Sequence, residues 1–176
     1  MHYFISGGAK SGKSMRAQET ARKIAEKKQL PMYYLAVMDP QDEEDLERIR
    51  GHRKAREGWG FQTLEESYHV AEVLENADAG GVFLLDSVTA LLANVMFRNG
   101  RIDQRAGDEV LAQLLEFAER TENTIFVSDN VFSDAAVYDP VTEEYRRTLG
   151  KIGIALAECC GAVEEVSAGI VKRWKG

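Results

Sequence analysis

Residues 7–14 read Gly-Gly-Ala-Lys-Ser-Gly-Lys-Ser and follow directly on the short apolar run Tyr3-Phe4-Ile5. The octet satisfies G-x-x-x-x-G-K-[ST], with Gly7, Gly12, Lys13 and Ser14 in the fixed positions, and that spacing has a mechanical meaning. Along Gly7, Gly8, Ala9, Lys10, Ser11 and Gly12 the backbone is free to curl its N–H groups around phosphate oxygens. The helix that follows turns its positive end toward the same oxygens. Lys13 reaches the β- and γ-phosphates of a nucleotide and acts on the group being transferred, while the Ser14 hydroxyl is a ligand for Mg²⁺. A glycine-rich turn with a chance Lys-Ser would spell the same letters. The motif additionally requires a strand before and a helix after, and both are legible here. The octet predicts a nucleoside-triphosphate site.

Two more groups carry chemistry. Leu84-Leu85-Asp86 is an apolar run ending in a carboxylate, which at the carboxyl edge of a strand beside Ser14 would hold Mg²⁺ directly or through water. Asp86 also precedes a helical stretch, where an aspartate commonly caps the backbone. The segment 45–56 then sets Arg48, Arg50, Arg53, Lys54 and Arg56 around His52, in a chain whose formal net charge is −7. One reading is a solvated helix face of Arg/Glu pairs. The other is a second anion site. Imidazole, with a reference pKa of ~6.5, is substantially unprotonated at neutral pH and attacks phosphorus. Flanking cations would hold a polyphosphate and offset developing charge. His2 at the chain start and His69 in an amphipathic stretch have less context.

Positioning these groups requires alternating strands and helices. Strands are predicted near 2–6, 32–37, 82–86, 124–128, 162–167 and 170–174. Amphipathic stretches lie at 14–28, 41–56, 68–77, 88–98 and 108–121, with a final helix over 142–160. In the fifth stretch Val110, Leu111, Leu114, Leu115 and Ala118 keep the helical period. Such alternation implies βαβ units and a mostly parallel sheet covered on both faces. Only Ala168-Gly169 separates the last two strands, which predicts a C-terminal antiparallel hairpin. The expectation is a single three-layer α/β domain over residues 1–176, of the P-loop NTPase type, with ligands at the carboxyl ends of the strands.

Bulk properties narrow the partners. A 176-residue chain that is 44% hydrophobic and 29% charged buries a core without disulfides. The acidic balance argues against nucleic acid or an anionic membrane as the main partner. The longest apolar stretch, Val82 to Phe97, is interrupted by Asp86, Ser87, Thr89 and Asn94 and is too short to cross a bilayer. With no signal-peptide pattern at the start, a cytoplasmic location is expected. Adjacent Cys159 and Cys160 read as buried apolar residues in a reducing compartment.

The motifs together resemble the bifunctional adenosylcobinamide kinase / adenosylcobinamide-phosphate guanylyltransferases of cobalamin biosynthesis. The octet is similar to that family's Gly-Gly-Ala-Arg-Ser-Gly-Lys-Ser. Further pieces follow in order: Tyr34-Leu35-Ala36, Arg48-Ile49-x-x-His52-Arg53-x-x-Arg56, Thr63-Leu64-Glu65-Glu66, Leu84-Leu85-Asp86-Ser87-Val88-Thr89, Val127-Ser128 and Ser167-Ala168-Gly169. The resemblance spans nearly the whole chain. It implies phosphorylation of the aminopropanol hydroxyl of adenosylcobinamide by ATP or GTP, followed by transfer of GMP from GTP through a GMP-histidine intermediate. On this resemblance His52 is the nucleotidylated base. Ala36, Val37, Met38, Arg53, Lys54, Ala55, Arg56 and Glu65 contact nucleotide, and Ser14 and Asp86 hold Mg²⁺. It also implies a homotrimer.

Where the family continues Asn-Glu-Val-Gly after Val127-Ser128, this chain has Asp129-Asn130-Val131-Phe132-Ser133-Asp134, and Gly153-Ile154 replaces an Asn-Gln pair. These changes leave the nucleotide half intact. The residues themselves are also compatible with a kinase for another small alcohol in which His52 is structural, and with a GTP-sensing protein that turns over little. By chemistry, Asp129 and Asp134 are the candidates for general base in the kinase step.

Overall fold

The computed structural model describes residues 1–40, 42–132 and 136–176, the side chains of Glu44, Asp45, Arg48, His52, Ala55 and Asn99 excepted. Seven strands form one sheet: β1 (Tyr3–Gly7), β2 (Met32–Ala36), β3 (Phe61–Glu65), β4 (Val82–Asp86), β5 (Asn123–Asp129), β6 (Ala162–Ser167) and β7 (Ile170–Lys175). Their spatial order is β3-β2-β4-β5-β1-β6-β7. Every pairing is parallel except β6–β7. Among the described residues five α-helices connect them: α1 (Lys13–Lys28), α2 (Glu43–Ala55), α3 (Val88–Met96), α4 (Ala106–Arg120) and α5 (Pro140–Cys159). The mostly parallel sheet with its terminal hairpin is the architecture the alternating pattern predicts.

The central strands are apolar without alternation because both of their faces are covered. Successive side chains divide between two cores. Ile5, Val82, Leu84, Ile125 and Val127 face α1, whose contribution is the small, i+4-spaced set Ala17, Ala21 and Ala25. Phe4, Phe83, Leu85 and Phe126 face the larger core built with α3, α4 and α5. The chain therefore leaves β1 onto one face through α1 and leaves β5 onto the other through α5. Since β1 and β5 are neighbours, their carboxyl ends open a crevice of the kind that accepts ligands in open α/β sheets.

Several elements differ from expectation. The stretch 68–77 is not an α-helix. It holds only a 3-10 turn at Val70–Glu75, because the Glu66 carboxylate accepts the Tyr68 and His69 N–H groups at 2.8 Å. Its two buried residues, Val70 and Val73, are three apart and stack in a three-residue turn. Strand β3 was not expected: as an edge strand it has only Phe61 and Leu64 half-buried, three apart, and so lacks period-2 alternation. Helix α3 stops at Met96, two residues short, and a 3-10 turn follows at Arg98–Gly100. Cys160 is buried, but Cys159 is exposed at the last turn of α5.

One buried carboxylate ties the nucleotide-loop helix to the hairpin. Glu164 on β6 is 1% exposed. Both its oxygens accept from Arg16 of α1 at 2.7 Å, and Oε1 also accepts from Arg173 of β7 at 3.0 Å. The Arg16 hydrogen bond, supported by Arg173, holds the Glu164 carboxyl below the ordinary carboxylate range despite its burial. A group depressed in the folded state stabilises the fold above its ordinary value and loses that contribution as pH falls through the folded value. Glu164→Gln is expected to lower stability by about 1–3 kcal/mol at neutral pH, seen as a reduced urea midpoint with unchanged slope. The wild-type advantage should fade as the pH drops below 4.5, the ordinary carboxyl value.

Candidate active site

The phosphate loop is shaped by close approach and by two left-handed residues. At Gly7, the last residue of β1, a Cβ would lie 2.5 Å from both the Val166 carbonyl oxygen and Ser11 Oγ. Lys10 and Gly12 take φ of +57° and +97°, and Gly12 passes the chain into α1 at Lys13. Outward bonds brace the loop. Ser11 N–H donates to the Gly8 carbonyl at 3.2 Å. Gly169 N–H, in the β6–β7 turn, donates to the Ser11 carbonyl at 2.9 Å, and Asn130 N–H donates to the Gly7 carbonyl at 2.8 Å. Inside this brace the Lys13 ammonium, its side chain only 10% exposed, sits 2.6 Å from Asp129 Oδ1 and 3.3 Å from the Gly8 carbonyl.

Asp86 ends β4 beside this loop. It is not the cap of α3, because Ser87 Oγ accepts the Ala90 N–H at 3.2 Å and performs that task. Asp86 Oδ2 instead accepts from the Tyr34 hydroxyl at 3.4 Å. Burial, then the Asp86 charge, pushes the Tyr34 phenol far above its ordinary range, so it stays protonated. Arg56 lies over the Tyr34 ring, 3.4 Å from its centre, and is 7% exposed. Burial pulls its guanidinium below its ordinary value while Tyr34 and Asp86 push it up. Arg56 Nη1 is buried with no hydrogen-bond partner among the described residues. Arg53 pairs with Glu65 at the end of β3.

These groups share one cavity of about 750 Å³ at the carboxyl edge of the sheet. Lys10, Lys13, Arg50, Arg53 and Arg56 line it against Glu65, Asp86 and Asp129, so an acidic protein presents a locally cationic cleft. A second cleft of about 880 Å³ shares Arg53, Arg56 and Glu65 as a wall and extends past Gly58 and Phe61. Excess positive charge around a glycine loop and a helix start suits a polyphosphate.

Most residues singled out from the sequence come together here. Ala9, Lys10, Lys13, Ser14, Ala36, Met38, Arg53, Arg56, Glu65 and Asp86 line the cavity. Gly7, Gly8, Ser11 and Gly12 form the loop backbone beside it. Val37 does not join them: its side chain is fully buried and its carbonyl accepts from Asn94 Nδ2 at 2.6 Å. Lys54 borders the second cleft rather than the first. His52 lies within α2, three residues after Ile49 and four before Arg56, both of which line the cavity. Its imidazole and the Ala55 side chain lie outside the described residues, as does Asp134. Among the described residues no cluster of three or more His, Cys, Asp or Glu gathers. Of the oxygen ligands that line the cavity, Ser14 and Asp86 are a pair that suits Mg²⁺, which takes one or two protein oxygens and completes its shell with phosphates and water. Sequence reasoning missed Tyr34 as the platform under Arg56, and no local signal marks it.

Comparison with known proteins settles the affiliation. The family model for cobinamide kinase / cobinamide phosphate guanyltransferase matches residues 3–173. The chain belongs to that family. It is 32% identical over 177 residues to the bifunctional adenosylcobalamin biosynthesis protein CobP of Pseudomonas aeruginosa, covering 100% of this chain and 98% of that one. It is 25% identical over 183 residues to the bifunctional adenosylcobalamin biosynthesis protein CobU of Escherichia coli, with 97% of each chain covered. Family membership gives the chain two activities, cobinamide kinase and cobinamide phosphate guanylyltransferase, in adenosylcobalamin biosynthesis.

Solved structures agree on the fold alone. The flagellar accessory protein FlaH of Methanocaldococcus jannaschii aligns with a TM-score of 0.54 and 14% identity, covering 99% of this chain and 77% of that one. A KaiC-like protein of Pyrococcus horikoshii aligns at 0.55 and 15%, covering 99% and 78%.

The loop geometry separates its two leading glycines. Gly8→Ala meets open space, since nothing lies within 4 Å of the added Cβ, and should leave GTP affinity within about threefold. Gly7→Ala drives a Cβ into the Val166 carbonyl and should weaken binding at least about tenfold, a loss of 1.4 kcal/mol or more. Titration with a fluorescent GTP analogue checks the contrast.

Proposed function

We propose that the cavity carries out both family reactions on one polyphosphate, with the phosphate loop handling the γ-phosphate and α2 handling the α-phosphate. The supporting observation is spatial: the α2 residues on either side of His52 line the same cavity as Lys13 and Ser14. In the kinase step the aminopropanol hydroxyl of adenosylcobinamide attacks the γ-phosphorus of ATP or GTP. Lys13 and the loop N–H groups hold the phosphate oxygens and offset their charge. Ser14 and Asp86 would hold Mg²⁺, which supplies charge neutralisation across the phosphates.

In the second step an imidazole nitrogen of His52 attacks the α-phosphorus of GTP. A P–N bond forms, the α–β phosphoanhydride breaks, and pyrophosphate leaves with its electron pair. Adenosylcobinamide phosphate then takes the GMP from the histidine, giving adenosyl-GDP-cobinamide. Arg53 and Arg56 neutralise the charge that develops at the α-phosphate. Glu65 is an acceptor for ribose hydroxyls or base amines. Assembly as a homotrimer in the cytoplasm belongs to the same reading. Its support is the family resemblance, together with the exposed Ile170 and Trp174 on edge strand β7.

Incubation with Mg²⁺ and GTP labelled in the α-phosphate should leave acid-labile, base-stable label on the protein, because phosphoramidates hydrolyse in acid. His52→Ala should carry none. Label persisting unchanged in that variant would refute the histidine's role.

A further inference from the structure

We propose that Tyr34 is a positioning residue for guanylyl transfer, whose ring face seats Arg56 beside the α-phosphate and fixes the end of the histidine-bearing helix. The inference rests on the proposed roles of His52 and Arg56 and adds the residue that aligns them.

Three observations carry it. First, cation and ring meet closely. The guanidinium carbon of Arg56 lies 3.4 Å from the Tyr34 ring centre. Arg56 is buried, and such a contact is worth most where water is excluded. Second, the ring is itself held. Tyr34 lies within β2, in register with Thr63 of β3 and Leu84 of β4, and is buried. Phe61 of β3 meets it edge-on with 6.3 Å between ring centres, and its hydroxyl donates to Asp86 Oδ2. Third, Arg56 follows directly on α2, four residues after His52. Its Nη1 is buried with no hydrogen-bond partner among the described residues. Tyr34 and Arg56 both line the cavity that Lys13 and Ser14 line.

A ring in this place does what a carboxylate cannot. Arg50 and Arg53 are held by Glu43 and Glu65, partners that offset their charge and take up their N–H donors. An aromatic face attracts the guanidinium through its quadrupole and leaves the N–H groups for phosphate oxygens. As His52 attacks and pyrophosphate departs, negative charge grows on the oxygens of the α-phosphate. A cation already fixed at that point needs no reorganisation to meet it. Seating Arg56 also sets where α2 ends, and with it the reach of His52 toward the phosphorus. No proton passes through Tyr34, whose phenol stays protonated. It acts by placement alone.

Changing the electrons of the ring without its shape tests the assignment. The readout is the rate at which acid-labile label appears on the protein from saturating, α-labelled GTP with Mg²⁺. Phenylalanines carrying one, two and three ring fluorines, placed at position 34, draw charge from the ring face at nearly constant size. Relative to Tyr34→Phe, the rate should fall stepwise, by about tenfold at three fluorines. Kinase kcat with ATP and adenosylcobinamide should change by no more than about threefold in the same series. Tyr34→Phe itself keeps the ring face and should hold the wild-type label rate within about threefold. In an Arg56→Gln background the fluorines should have no effect, because no cation remains to be seated. A label rate indifferent to fluorination would overturn the proposal. So would a fall that persists with Arg56→Gln, or an equal fall in the kinase, since the ring would then only pack the core. Wild-type protein that takes up no label would instead overturn the histidine reading on which the proposal stands.

Discussion

An ammonium group removed from water needs a counter-charge, and in this protein that requirement falls on Lys13. Leaving such a charge buried and unpaired costs several kcal/mol, so the loop that encloses Lys13 is stable only where a carboxylate or a phosphate can reach it. The fold meets the requirement by topology. Placing β1 next to β5 brings Gly7 level with Asp129, and the 2.6 Å contact follows from that register. Gly7 has no room for a side chain because Val166 of β6 crowds it from the other side. Three strand ends therefore fix the course of the loop. In the proposed reading, Asp129 and nucleotide would compete for one ammonium, which would link emptiness of the site to one ionic arrangement and occupancy to another.

The chain is acidic overall, yet among the described residues its cavity is lined by five cationic against three anionic side chains. An acidic exterior repels nucleic acid and other polyanions, while a small cationic cleft admits a single polyphosphate. The distribution along the cleft also matters. Lys10 and Lys13 stand at the loop, and Arg50, Arg53 and Arg56 stand on or just beyond α2. A point-like ammonium suits a terminal phosphate, whereas planar guanidinium groups suit an internal one that must be oriented for in-line attack. The two chemistries proposed at two phosphorus atoms would be matched by two kinds of cation.

What the sequence reveals of this site follows from which forces are local. The octet, the apolar strand ending at Asp86 and the helical period of 108–121 are local patterns, and each matches an element of the sheet. Asp86 had two readings because an aspartate before a helix is chemically ambiguous. The neighbouring Ser87 resolves it by taking the cap. The edge strand β3 was hidden because it buries too little to alternate, and the 3-10 turn at 70–75 because two apolar residues three apart fit a helix as well. The stack of Arg56 on Tyr34 and the Lys13–Asp129 pair join residues far apart in the chain. No spacing rule reports such contacts before the strand order is known. The substitution that puts Asp129 at the end of β5 was visible, but its partner was not.

The Arg56–Tyr34 stack also bears on how the two halves of the site differ mechanically. The ends of β1, β4 and β5 are anchored by strands buried on both faces, with Ile5, Leu84, Leu85 and Phe126 all at 0% exposure. Helix α2 has no such anchorage among its described side chains: Leu46 is exposed and Ile49 half-buried. The buried side chain at its carboxyl end is Arg56, and a guanidinium held over an aromatic face is a weaker, more exchangeable attachment than a packed aliphatic core. Because Arg56 Nη1 is also buried with no hydrogen-bond partner among the described residues, the group that fastens the end of α2 to the sheet is one that gains by meeting an anion. A phosphate bound as proposed and the position of the histidine-bearing helix would thus share a residue, Arg56. Rigidity at the loop end of the cavity and exchangeable attachment at its α2 end follow from the same sheet, according to how many apolar side chains each element commits to it.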